Sequence, residues 1–274
     1  MPGGTIDVTL AGHAPEPSEA ALKTWVELAG RAVAGYYGSF PVPRVALTIR
    51  RGGSGKISSG RTEGSGGEAS IRIDVGEDAT AKDLEESWVL VHEMVHLALP
   101  SLPRHHAWLE EGIATYVEPL ARARAGLAPR EEIWKWLLWG LPKGQEALDG
   151  RGLEEARGWS ATYWGGALFC FLADVGIRER AADRKSLDDA LRGIVRAGGN
   201  VTVTWPIERV LQTGDTAAGV PVLTELYAKM GQAAMPIDLH GMFQRLGVSI
   251  RDGRITYDDG AALAAVRRGI TTGH

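Results

Sequence analysis

The stretch SWVLVHEMVHLALP, residues 87–100, decides how the rest of the chain is read. It sets two histidines four positions apart, with a glutamate directly after the first. On a helix, residues four apart share a face, so His92 and His96 can aim their rings at one point. Glu93 is turned about 100° from His92 and can reach the open side of a bound ion without ligating it. That is the chemistry of the HExxH pattern: two neutral imidazoles hold zinc, and the carboxylate beside them takes a proton from activated water. The flanking WVLV and LAL make this a buried helix, where paired histidines need a reason.

Two ligands do not hold a catalytic metal; three protein ligands and one open position do. The position six beyond His96 is Leu102, which cannot ligate. His105 and His106, in SLPRHHAW, are candidates from the following loop. The other source is WLEEGIATYVE, residues 108–118, a short helix whose first turn can present Glu110 or Glu111 to the histidines.

HExxH followed by W-L-x-E-G resembles the gluzincins, the thermolysin-like metallopeptidases, and most nearly the aminopeptidase N and glycyl aminopeptidase families. The resemblance runs over residues 40–274, with HExxH and WLEEG its specific parts. It implies that Glu111, rather than Glu110, completes a site for one Zn2+ per chain with His92 and His96, and that Glu93 is the catalytic base. ATYWGGALF, residues 161–169, looks like the segment whose tyrosine, here Tyr163, donates to the oxyanion. A phenol opposite the metal suits that task. The implied activity is a zinc-dependent peptidase acting on a peptide or protein substrate; the alternative is a non-catalytic peptide-binding or regulatory protein on the same scaffold.

Two departures from the family leave endopeptidase and aminopeptidase action both open. Fourteen residues separate His96 from Glu111, fewer than in aminopeptidase N relatives. The Gly-x-Met-Glu-Asn pattern that grips a free amino terminus is absent. In its place ASIRIDVG, residues 69–76, is expected to receive an extended peptide as an added strand.

The rest of the chain reads as an α+β, thermolysin-like fold. Residues 1–99 form a mixed α/β lobe ending in the HExxH helix, and residues 100–274 a helical lobe carrying the third ligand. Residues 17–38 repeat apolar positions at helical spacing, opening at Ser18. RVALTIR (44–50) and ASIRIDVG alternate as strands do. Between them RGGSGKISSGRTEGSGG (51–67) predicts a mobile hairpin loop. Its GSGK is no phosphate loop, because Arg50 and Ile57 stand where glycine and Ser or Thr are needed. One helix is expected over 82–99, closed by Pro100, and one over 107–118, closed by Pro119. Further helices follow, then a hairpin at Asp252-Gly253 and a last helix.

Composition excludes other classes. A net charge of −4 without a basic run argues against nucleic acid. No apolar run is long enough to span a bilayer. The start MPGGTIDVTL has no signal-peptide pattern, which predicts a cytoplasmic protein, or an extracytoplasmic one whose export signal was removed. The single cysteine, Cys170, lies in an apolar helical run and reads as a packed thiol. Glu118 is a candidate to steer a ligand histidine, and Asp74 and Glu77 to meet a substrate amine. Trp134, Trp136 and Trp139 cannot all share one helix face. The repeat of oxygens in DGRITYDDG does not match a calcium loop. His13, His240 and His274 stand far from the motif and read as incidental.

Overall fold

The computed structural model describes residues 3–12, 14 and 16–273; His13 and His274 lie outside them. The chain begins with strand β1 (Thr5–Gly12), which sequence reading did not mark, and helix α1 (Glu19–Tyr37). Ser18 caps α1 by accepting from the Ala21 N–H, and Gly38 closes it at φ +86°. Strands β2 (Arg44–Arg51), β3 (Ile57–Ser65) and β4 (Glu68–Val75) complete a sheet of order β1-β2-β4-β3. β1, β2 and β4 run parallel, and β3 closes the sheet antiparallel to β4.

Two expectations are corrected here. Residues 51–67 are not one loop: nine of them, Ile57–Ser65, form β3, with a register shift near its start, and 52–56 and 66–67 remain as connections. A substrate cannot be added to residues 69–76, since β4 already pairs with β2 on one side and β3 on the other. The strands at the two ends of the sheet are β1 and β3, and β3 is the one that meets the HExxH helix, through Thr62 and Glu93.

Alternate residues of β2 and β4 (Val45, Leu47, Ile49, Ile71, Ile73) are fully buried. They share one core with Leu22 and Val33 of α1. Residues 82–99, expected as one helix, are two: α2 (Ala81–Glu86) with a Thr80/Asp83 capping box, and α3 (Val89–His96). The chain is extended at Ser87, so Trp88 starts a new helix. Helix α4 (Ala107–Arg124) runs through Pro119 rather than ending there; buried Val117, Leu120 and Ala121 hold both sides of the proline in one helix.

Then come α5 (Glu131–Leu148), a π-helical turn (Ala161–Gly165), α6 (Gly166–Arg180), α7 (Leu187–Arg196), α8 (Ile207–Ala218), α9 (Val222–Met230) and α10 (Leu239–Leu246). The expected hairpin is β5 (Val248–Arg251) and β6 (Arg254–Tyr257), turning where Asp252 and Gly253 both have positive φ, and α11 (Ala264–Thr272) is the last helix. The fold is therefore mixed α+β, a small sheet followed by a helical majority.

Two features fix α4, the helix that carries the candidate carboxylate. Gly112 and Gly166 meet at the crossing of α4 and α6, where a Cβ on Gly166 would stand 1.8 Å from the Trp108 carbonyl oxygen. Farther along, the Tyr116 hydroxyl donates to Asp174 at 2.9 Å, and Asp174 also accepts from Arg178 and from the Leu187 N–H. This buried network ties α4, α6 and α7 together.

Candidate active site

Buried α3 presents His92 and His96 one turn apart, with ring centroids 5.0 Å from each other. Glu111, in the first turns of α4, faces both. Its Oε2 lies 3.3 Å from His92 Nε2 and 3.5 Å from His96 Nε2. Ligand atoms about 2.0–2.1 Å from a tetrahedral zinc ion are about 3.3–3.4 Å apart, so these separations match tetrahedron edges. Two imidazole nitrogens and one carboxylate oxygen, all within 4.8 Å of one another, are a zinc-type donor set.

Charge follows the same geometry. Burial alone would raise the Glu111 carboxyl, but hydrogen bonding with His92 and His96 reverses this and holds it well below the carboxylate range. Burial lowers His92, which favours the neutral ring. Burial opposes charge on His96 too, but the Glu111 carboxylate outweighs it and raises that ring. Glu110 points elsewhere: it accepts from the Leu102 N–H at 2.9 Å, and burial raises its carboxyl.

Glu93 is buried at 7% exposure beside these three side chains. The Thr62 hydroxyl of β3 sits 2.7 Å from its Oε2 and 2.8 Å from its backbone oxygen. Gly60, two residues earlier on the same face of β3, leaves room for the carboxylate: a Cβ there would be 2.4 Å from Glu93 Cγ. Gly64 makes the same allowance for the Val201 carbonyl, 1.8 Å from a Cβ built on it. Sequence reading missed Gly60, Thr62 and Gly64; their period of two inside the Gly-Ser run was the available signal.

Tyr163 lies on the π-helical turn, a feature frequent at functional sites. Its ring stacks with His92 at 5.9 Å and 9°, and with Trp159 at 5.4 Å and 25°. Burial, then the nearby Glu111 carboxylate, push its phenol well above the usual range, so it keeps its proton. Residues 60–64, Glu93, His96, Glu111, Tyr163 and Val201 line one cleft of about 630 Å³.

Other candidates sit elsewhere. His105 and His106 cluster with Glu154 instead of joining His92 and His96. Glu118 is neither solvated nor hydrogen-bonded to a ligand histidine; it is buried and pairs with Arg122 at 3.2 Å. Asp74 is bound by Arg50, and Glu77 is exposed. Trp134 is fully buried and Trp139 is 47% exposed, as their spacing required. Cys170 is buried, and burial raises its thiol. Among the described residues, no helix is long and apolar enough to cross a membrane.

No protein-family model and no curated protein matches the chain. Solved structures do. An aminopeptidase N family protein from Idiomarina loihiensis superposes with TM-score 0.67 at 13% identity, over 91% of this chain and 48% of that one. A mutant of the M1 zinc metallopeptidase from Deinococcus radiodurans, bound to a Tyr-Ser-Ala substrate, gives TM-score 0.51 at 15% identity, over 84% and 49%. Yeast LTA4 hydrolase in complex with bestatin gives 0.54 at 14% identity, over 81% and 37%. The chain thus spans half or less of the length of these proteins. In fold, it is similar to the gluzincin-type zinc metallopeptidases.

Proposed function

We propose that this chain is a zinc-dependent peptidase in which His92, His96 and Glu111 hold the metal. The observation that carries this reading is the position of Glu111 Oε2, at tetrahedral spacing from both imidazole nitrogens. The donor set leaves room for a fourth ligand on the cleft side. Zinc, when bound, supplies Lewis-acid activation of water and of the scissile carbonyl.

The chain's own residues do the rest. Glu93, held by the Thr62 hydroxyl, takes the proton of the attacking water and returns it to the leaving amine. Tyr163, kept protonated, donates to the oxygen on which charge develops. An extended peptide pairs with the outer edge of β3, which ends the sheet and walls the cleft. The cleft then lies between the sheet-bearing segment 1–99 and the helical segment 100–274. Residues 60–64, Gly-Arg-Thr-Glu-Gly, keep glycine and glutamate at the spacing of the Gly-x-Met-Glu-Asn pattern. Glu63 lines the cleft with its carboxylate already paired with Arg61, so this spacing by itself does not favour an amino-terminal grip over internal cleavage.

The test is digestion of a peptide library, read by mass spectrometry, with zinc-loaded and chelator-treated protein. Cleavage that chelator removes and zinc restores is expected, with cut positions separating end from internal action. A zinc-loaded protein that cuts nothing in the library would overturn the peptidase reading.

A further inference from the structure

A second cluster stands at the start of α4, built from residues that the proposed hydrolysis does not use. One ring nitrogen from each of His105 and His106 and one carboxylate oxygen of Glu154 all lie within 4.8 Å of one another. The cluster joins two short 3-10 turns, Arg104–His106 and Leu153–Glu155. His106 is buried, His105 is exposed, and their ring centroids are 3.9 Å apart.

Glu154 is the unusual member. Its side chain is only 10% exposed. Oε1 accepts from Tyr227 Oη at 2.8 Å and Trp108 Nε1 at 3.3 Å, and it stands 2.8 Å from His106 Nδ1, whose proton a bound ion would displace. Oε2 is buried, and among the described residues no donor reaches it. A buried carboxylate oxygen left without a partner is costly, and a cation removes that cost.

We propose that His105, His106 and Glu154 bind a second divalent ion of the zinc type. Two imidazoles and a carboxylate suit zinc, whereas calcium and magnesium take oxygen ligands. The ion would clamp the loop before α4 to the 153–155 turn and, through Tyr227, to α9. It is structural, and it raises the zinc count from one per chain to two.

The test uses the full chain, stripped of metal and dialysed against buffered low-micromolar free zinc, with zinc per chain measured by elemental analysis. Two equivalents are expected for the parent and one for the His92→Ala/His96→Ala double variant. His105→Ala should also bind one, and the triple combination none. His105 is exposed, so its loss leaves the fold intact, which circular dichroism checks. In the double variant zinc should raise the melting temperature, and adding His105→Ala should abolish that rise. A double variant that binds no zinc, or a His105→Ala chain that still binds two equivalents, overturns the second site. Displacement of this zinc by millimolar calcium or magnesium overturns its chemical class. Because the double variant lacks the first site's histidines, failure here leaves the peptidase reading untouched, and the reverse holds.

Discussion

At the scale of single residues, the candidate site separates tasks that neighbouring carboxylates could easily confuse. Glu110 and Glu111 are adjacent, yet one binds a backbone N–H and the other faces two imidazoles. Glu111→Ala should therefore weaken zinc binding far more than Glu110→Ala in competition with a chelator; the opposite order would mean that the wrong carboxylate is assigned. Glu93→Gln should keep its zinc and lose turnover by roughly 10²–10⁴-fold, the range for removing a general base. Zinc content and kcat measured on the same preparation decide this, and undiminished kcat would remove Glu93 from the chemistry. Thr62→Val tests the hydroxyl beside Glu93: a loss of about 10-fold or more in kcat is expected, as for a partner that orients a reacting group. Unchanged kcat would reduce Thr62 to a packing residue.

Among elements, legibility tracked whether the signal was a side-chain pattern. The HExxH spacing and the capped start of α1 were readable because ligand geometry and capping act through specific side chains at fixed offsets. β3 was not readable as a strand, because its inner face is Gly60, Thr62 and Gly64. Those positions are set by the close approach of Glu93 and Val201 instead of by apolar burial. The passage of α4 through Pro119 was missed for a related reason, because packing on both sides decided it against local propensity; the break between α2 and α3 lies at the extended backbone of Ser87. β3 also offers a test of its own. Gly60→Ala sets a methyl group 2.4 Å from Glu93 Cγ, so kcat should fall while zinc content holds. If kcat is unchanged, the strand does not brace the base.

For the molecule as a whole, the buried Glu118 links stability to pH. Burial raises its carboxyl to about 7 despite Arg122 beside it. The folded chain therefore binds this proton more tightly than the unfolded chain does. Its contribution is fully present below the unfolded carboxylate range and is lost as pH rises through about 7. Glu118→Gln should flatten that part of the stability profile, by on the order of 2 kcal/mol across the window. Chemical denaturation of metal-free parent and variant at matched pH values measures it, and parallel profiles would show that Glu118 is already ionised in the folded state.

The glycine crossing of α4 and α6 has a consequence for how this site can vary. Gly112 follows Glu111 directly, and Gly166 lies three residues after Tyr163, so WLEEG and YWGG are two halves of one contact. Side chains at an ordinary helix crossing act as compliant spacers, which repack when one of them changes. Here main chain rests on main chain and no such spacer exists. The offset between carboxylate and phenol is consequently a rigid dimension of the protein, one that substitution can break but cannot adjust by degrees.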